Sequence, residues 1–513
     1  MEVKIVNCNE LDIFLPLCWE NTMLTYSKIT NNNYVKAFVG SWGFNYDNNN
    51  DTIGECIRRD DYFSENLVKY CNTKMEIRRI DNIEIVIDKI VDNLTKDVPT
   101  MIHFDTFFAH WNGFYKKEHY RHVILVIGCD MDKKVIKIVD TDIRNKEFEV
   151  TFGELEKACE FYVEFTNISN EKECDILEQL SEKINNDTLI RQNMFSKIEE
   201  FARDFEWSFD PEKEFCNVKT IDDMLNSKFV SEFRSIMKGR VLFIYYLRNI
   251  EQKYNFDLSQ VICPLSVALS KWNNIINLLV KNCFMNWKKN ISLNITKILK
   301  LIADIEKNAY HNLIKIMISK TKNTNNKIND KKQECKSIAF DLRRYVNNKG
   351  FGFTKNDIDS DYTGTGEFIV LKNEYEKGII LEDKEVSFEL CLNAKFDNVI
   401  CEKQVIDIEM DGGAYGIAVL CSSEWGNNHE VIQCIDNEGK VEFAYITSYD
   451  IAKLDYENKI VIGPSYIKEE GICVRENNTL TYNIVMFEKQ IKLKQIILPY
   501  CLNMHIFAMS LLV

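Results

Sequence analysis

The spacing of apolar residues falls into three textures along the chain. Up to about residue 165 it is mixed, with short β-rich runs between helical stretches. From about 171 to 318 apolar residues recur at threes and fours, as in Cys174–Ile184, Ile275–Cys283 and Ser292–Tyr310, which predicts five to seven helices. Glycine and proline are nearly absent there, and Pro211 and Pro264 are read as boundaries. A Lys/Asn-rich stretch near 319–333 predicts a flexible loop, and a helix is expected over Glu334–Tyr345. From about 350 the period becomes two. Strands are predicted at Gly350–Phe353, Glu367–Leu371, Val386–Cys391, Val405–Glu409, Ala414–Cys421, Lys459–Ile462, Gly471–Val474 and Thr481–Phe487, with two more in Ile491–Val513. Eight or more short strands predict an antiparallel β-sandwich of jelly-roll or lectin-like type. The expectation is an α+β chain in three parts: a catalytic domain over 1–165, a helical domain over 166–345, and the β-sandwich over 346–513.

The run His119–Asp130, followed after a short turn by Lys134–Asp140, reads as a β-hairpin. With a turn symmetric about Met131, residue 122 faces 140, 124 faces 138 and 126 faces 136. Opposed side chains of an antiparallel pair have Cβ atoms about 4.5–5.5 Å apart. His122 and Asp140 then meet at the open end of a face otherwise made of Ile124, Val126, Ile136 and Ile138. An imidazole braced by a carboxylate is two thirds of a nucleophilic triad. Asp142, two residues on, points to the same side and takes the place of Asp140 if the register differs.

The nucleophile candidate is Cys18, in Leu15-Pro16-Leu17-Cys18-Trp19-Glu20-Asn21. Proline suits a helix start, and apolar spacing continues beyond it, so Cys18 is expected in the first turn of a helix. The free N–H groups and the positive end of the dipole there favour a thiolate and can hold an oxyanion. His119, Asp105 and His110 lie near the hairpin, the last two in an aromatic loop (Phe107, Phe108, Trp111, Phe114, Tyr115) suited either to wall a substrate channel or to cover the core.

The order Cys, then His at a strand start, then Asp at the end of the next strand resembles the papain-like cysteine protease fold, closest to its bacteriocin-leader peptidase branch. Residues 1–165 resemble more specifically the N-terminal domain of the butirosin-biosynthesis H protein family. The resemblance rests on Cys18-Trp19-Glu20-Asn21, Gly40-Ser41-Trp42-Gly43-Phe44, Asp105-Thr106-Phe107-Phe108 with Tyr115, His119-Tyr120-Arg121-His122, Gly128-Cys129-Asp130 and Val139-Asp140. It implies an acyltransferase of secondary-metabolite biosynthesis, such as nonribosomal peptide pathways. Cys18, His122 and Asp140 would carry an acyl group from a carrier-protein thioester to an amine and form an amide. The implied partners are an acyl or peptidyl carrier protein, whose phosphopantetheine carries the donor, and a small amine acceptor; no separate cofactor is implied. Papain-like peptidases usually carry a Gln shortly before the nucleophile. Here Asn9, Glu10 and Asp12 occupy that region, so the oxyanion falls to backbone N–H groups, Asn21 or Asn9. A thioester is more reactive than an amide and tolerates this better, which favours acyl transfer over proteolysis. A cysteine peptidase or amidase, and a non-catalytic interaction module, remain the alternatives.

Composition narrows the partners. A net charge of −14 argues against nucleic acid. Docking of an acidic carrier protein needs a local basic patch, for which Lys116–Lys117, Arg58–Arg59 and Arg78–Arg79 are candidates. An acidic mouth contributed by Asp60, Asp61, Asp130 and Asp132 would suit a cationic acceptor. The longest apolar runs, such as Val241–Leu247, are too short to span a bilayer, so no membrane partner is expected. No signal-peptide pattern opens the sequence. The 17 cysteines form no Cys-x-x-Cys pair and read as reduced thiols of a cytoplasmic protein. No clustered Cys/His signature marks a zinc site. The β-sandwich is a place for homodimer contact or packing.

Overall fold

The computed structural model describes residues 2–4, 17–60, 62–143, 146–168, 175–285, 287, 291–320, 336–375, 378–381, 384–392, 394–409, 412–468 and 470–513. Asn9, Glu10, Asp12, Pro16, Asp61 and nearly all of the Lys/Asn-rich stretch lie outside them. The chain is a mixed α/β protein with several sheets. It divides into two compact units, one from Met1–Phe44, Arg59–Arg191 and Lys238–Leu258, the other from Asn45–Arg58, Gln192–Met237 and Ser259–Val513. Among the described residues, no helix is long and apolar enough to cross a membrane, and the cysteines are free thiols.

The first unit is built on one antiparallel sheet. Its strands run Thr73–Arg79, Phe161–Asn167, Thr100–Asp105, Arg121–Asp130, Val135–Asp140 and Lys146–Thr151, with Glu2–Lys4 also on Arg121–Asp130. The central strands are rich in β-branched residues, which fit a pleated buried surface. Ile102, Phe104, Ile124, Val126, Ile136 and Ile138 share one core with Val86, Ile87, Ile90 and Leu94 of the helix Ile83–Leu94. The apolar face read from the hairpin pattern is therefore the buried one. The helix Cys18–Ile29 lies against Arg121–Asp130.

In the second unit, long helices Ser259–Phe284 and Ser292–Lys320 pack on one another. Pro264 lies inside the first of them rather than at its boundary. Proline has no N–H for the carbonyl four residues earlier, and the side chain of Asn312 supplies the missing donor to that carbonyl, Gln260 O, at 3.3 Å.

The eight-stranded sheet of this unit is centred on Ala414–Ser423, Cys473–Ile491 and Tyr500–Leu512, and a four-stranded sheet holds Val405–Asp407, Leu493–Ile497, Asn428–Asp436 and Val441–Ser448. Ile417, Val419, Met509 and Leu511 share a core with Ile406, Ile432, Cys434 and Ile496 of the smaller sheet. The alternate residues Ala418, Leu420, Phe507 and Ala508 face a second core with Ile379, Val386 and Phe388. Burial on both faces explains why these strands read as almost continuous apolar runs.

Two more sequence expectations change. The helix expected over Glu334–Tyr345 is instead, in its described part, the strand Ser337–Phe340 and a following turn. Its backbone pairs with Tyr500–Leu512, and that tertiary pairing overrides the local preference. The runs Gly471–Val474 and Thr481–Phe487 merge into one strand, Cys473–Ile491, whose pairing with Lys459–Ile467 is interrupted by bulges.

Candidate active site

Cys18 is the first residue of its helix. Leu17 precedes it in extended conformation and offers no capping side chain, so the leading amides have no such partner drawn over them. Glu20, the acid of this first turn, is buried and paired with Lys238 Nζ at 2.6 Å. The next turn anchors the helix. Thr22 Oγ1 donates to Val123 O (3.1 Å) and lies 2.9 Å from Thr141 Oγ1. One threonine thus ties the Cys18 helix to the residue after His122 and the residue after Asp140.

The hairpin register differs from a symmetric turn about Met131. Leu125 faces Val139 and Val126 faces Ile138; a bulge follows, and then Gly128 faces Lys137 and Asp130 faces Val135. The turn holds four residues, with Asp130 Oδ1 accepting from the N–H groups of Asp132 and Lys133 and Lys134 in the left-handed region (φ 53°). The longer turn and the bulge slide the pairing by two residues near His122. A slip of two preserves the face, so His122 stays with the aspartates, now reaching Asp140 along the strand direction.

His122 Nε2 lies 3.0 Å from Asp140 Oδ2, and both side chains are buried. Asp140 also accepts from Trp111 Nε1 at 2.8 Å and from the Asp142 backbone N–H at 3.0 Å. Burial alone would raise this carboxyl. The hydrogen bond and charge of His122, with the other two donors, outweigh it and hold the group below its ordinary value. Burial likewise opposes charge on the imidazole, but hydrogen bonds with Asp140 and Cys18 prevail and push His122 up to about 10. The imidazole therefore carries a proton across the neutral range.

With Nε2 engaged, Nδ1 remains. Asp142 Oδ2 stands 3.9 Å from it, and this side chain keeps 40% of its exposure. Asn21 Nδ2 donates to Asp142 Oδ1 at 3.4 Å. Burial raises the Asp142 carboxyl, with His122 opposing and Asp140 adding to the rise. Cys18 Sγ, a His122 ring nitrogen and an Asp142 oxygen all lie within 4.8 Å of one another. These donors are also compatible with a metal ion. An ion bound there would have to displace the proton on His122.

The structure brings together Cys18, His122, Asp140, Asp142 and Asn21. It places His119 elsewhere: its Nδ1 lies 2.6 Å from Asp105 Oδ2 and its ring stacks on Phe107 at 4.3 Å. Asp105 and His119 thus satisfy each other in the loop. Asp130 and Asp132 are corrected as mouth residues. They stand at the turn, eight or more residues along the strand from His122, about 26 Å away at strand rise. Of the basic pairs, Arg78 is already engaged by Glu76 and Glu164, and Lys117 by Gly113 O.

Trp111, which belongs to the aromatic loop suited by its sequence either to wall a channel or to cover the core, is also a site residue. Its indole stacks on Phe148 at 4.8 Å and packs against Phe104 at 5.5 Å, which fixes the N–H on Asp140. Nothing local links positions 111 and 140; an aromatic-rich loop ahead of a His-bearing strand is the only signal. No family model and no curated protein matches the chain.

Proposed function

We propose that the protein is an amide-forming acyltransferase with a papain-like catalytic domain, in which Cys18 accepts an acyl group from a carrier-protein thioester and passes it to an amine in secondary-metabolite biosynthesis. The helical segments and the β-sandwich are then accessory domains. The observation that carries the reading is a helix-start cysteine whose sulfur lies within 4.8 Å of an imidazole that a buried carboxylate holds at 3.0 Å.

The chemistry follows from this arrangement. The thiolate attacks the thioester carbonyl, and the leading amides of the Cys18 helix stabilise the oxyanion. His122 gives its proton to the departing pantetheine sulfur, leaving an acyl-Cys18 enzyme and a neutral imidazole. That imidazole accepts a proton as the amine attacks, the amide forms, and the Cys18 sulfur is released as thiolate. Asp140 fixes the ring and stabilises its charged form throughout. The missing Gln ahead of the nucleophile weakens the case for peptide hydrolysis and weighs less against a thioester.

The test is substrate choice. Release of free thiol from acyl-pantetheine thioesters is followed beside cleavage of a peptide library, each with and without a chelator. The reading expects thiol release that is insensitive to chelation, with amide product when an amine is added. Peptide cleavage without thioester turnover would move the assignment to a peptidase, and chelator-sensitive turnover would move it to a metal centre.

A further inference from the structure

We infer that Asp142 is the acceptor subsite: it binds the ammonium group of the incoming amine, takes its first proton, and so selects a positively charged primary amine over water as the nucleophile. The inference rests on the acyl-transfer reading above and names the acceptor for that same site.

The site holds two carboxylates in different circumstances. Asp140 is fully buried, accepts three hydrogen bonds and faces Nε2. It completes the orientation of the imidazole. Asp142 is 40% exposed and faces the opposite nitrogen, on the side where Sγ lies. Its one side-chain hydrogen bond among the described residues is the long contact from Asn21. A carboxylate beside a nucleophilic sulfur opposes thiolate formation by like-charge repulsion. Asp142 is therefore a poor device for making the nucleophile, and with Asp140 in place it is superfluous for orienting His122. It is well placed for the second half-reaction. Once Cys18 is acylated its negative charge is gone, and Asp142 is left facing the thioester at hydrogen-bonding range for a cation.

The distances agree with that use. Sγ and an Asp142 oxygen lie within 4.8 Å. A nitrogen about 3 Å from that oxygen, in hydrogen-bond reach, falls at roughly the 3–3.5 Å attack distance of a carbonyl carbon bonded to Sγ. The ammonium gives one proton to Asp142 and becomes a neutral amine. Its lone pair forms the C–N bond, the carbonyl electrons pass to the oxygen, and their return breaks the C–S bond. The Cys18 sulfur leaves as thiolate. The second proton leaves the nitrogen for His122, restoring the imidazolium, and Asp142 returns the first proton to water.

The experiment isolates acyl-enzyme from excess acyl-pantetheine and measures its discharge at neutral pH by two nucleophiles, a diamine that is charged and hydroxylamine that is not. Asp142→Asn is expected to lower the ratio of diamine to hydroxylamine rates by about tenfold or more, the size of a charge-assisted hydrogen bond. The loss should lie mainly in KM for the diamine, with Asp142→Glu recovering part of it. An unchanged ratio overturns the inference, because both nucleophiles then use Asp142 alike or not at all. Failure of Asp142→Asn to form the adduct also overturns it, because Asp142 is assigned no part in acylation. Absence of an adduct in the unaltered protein instead defeats the acyl-transfer reading itself, and the inference with it.

Discussion

Each unit buries an ion pair, and the two pairs differ in what they leave over. In the second unit Lys271 and Glu430 are 4% and 0% exposed. Lys271 Nζ donates to both Glu430 oxygens, at 3.0 and 2.8 Å, and to Tyr500 O at 3.1 Å. All three ammonium hydrogens are spent, and burial still pushes the Glu430 carboxyl above its ordinary value despite the adjacent lysine. In the first unit His122 and Asp140 are as deeply buried, at 6% and 0%. Here the second ring nitrogen is left to partners that are themselves part-exposed, the Cys18 thiol and the Asp142 carboxylate. Burial and opposite charge are common to both. A saturated pair fixes the packing of a helix on a sheet, whereas an unsaturated one has a proton to give. On the proposed reading the first pair is chemical and the second structural.

The comparison breaks most visibly at His122. His122→Gln should lower turnover of an acyl-pantetheine substrate by about four orders of magnitude or more while the protein still unfolds cooperatively. A turnover loss under tenfold would place proton transfer elsewhere. The other pair should respond in the opposite sense. Lys271→Met leaves Glu430 buried without its cation and should cost about 3–5 kcal/mol of stability in denaturant titration. Turnover per folded molecule should stay near that of the unaltered protein.

The charge of the first pair can be read through pH. The folded state raises His122 from 6.5 to about 10, so protonation of His122 stabilises the fold. That contribution is complete below the ordinary value of 6.5 and disappears as pH rises through about 10. The thermal midpoint should fall over this window, and His122→Gln should flatten the fall. An equal fall in the variant would assign the effect to other groups. The smallest expected effect is at Trp111. Trp111→Phe removes one donor from a buried carboxylate, which costs about 1–3 kcal/mol and should lower turnover by roughly tenfold. Unchanged turnover would reduce the indole to packing.

The site was legible where its determinants are local. Helix-start position, period-two alternation and the His/Asp polarity of one hairpin face are set by neighbouring residues, and they placed Cys18, His122 and Asp140 on the right elements. The turn length and the bulge beyond Val126 were not legible, since strand pairing partners decide them; the face survived because the slip was two residues. Trp111 and the Thr22–Thr141 clamp join positions far apart in sequence, which periodicity cannot report. In the second unit the long apolar strand Ala414–Ser423 was readable. The hairpin Asn428–Asp436 with Val441–Ser448 escaped, although Asn437-Glu438-Gly439, with Gly439 at φ 83°, carries a turn signal between β-rich runs.

The central claim is that Cys18 carries the acyl group. Intact-mass spectrometry after mixing the protein with acyl-pantetheine or acyl-carrier thioesters tests it most directly, alongside Cys18→Ala. The account predicts one acyl adduct that maps to Cys18, is absent from Cys18→Ala and disappears on addition of amine with formation of the amide. An adduct that persists in Cys18→Ala, or none with any thioester while a thiol-directed peptide probe still labels Cys18, would contradict it.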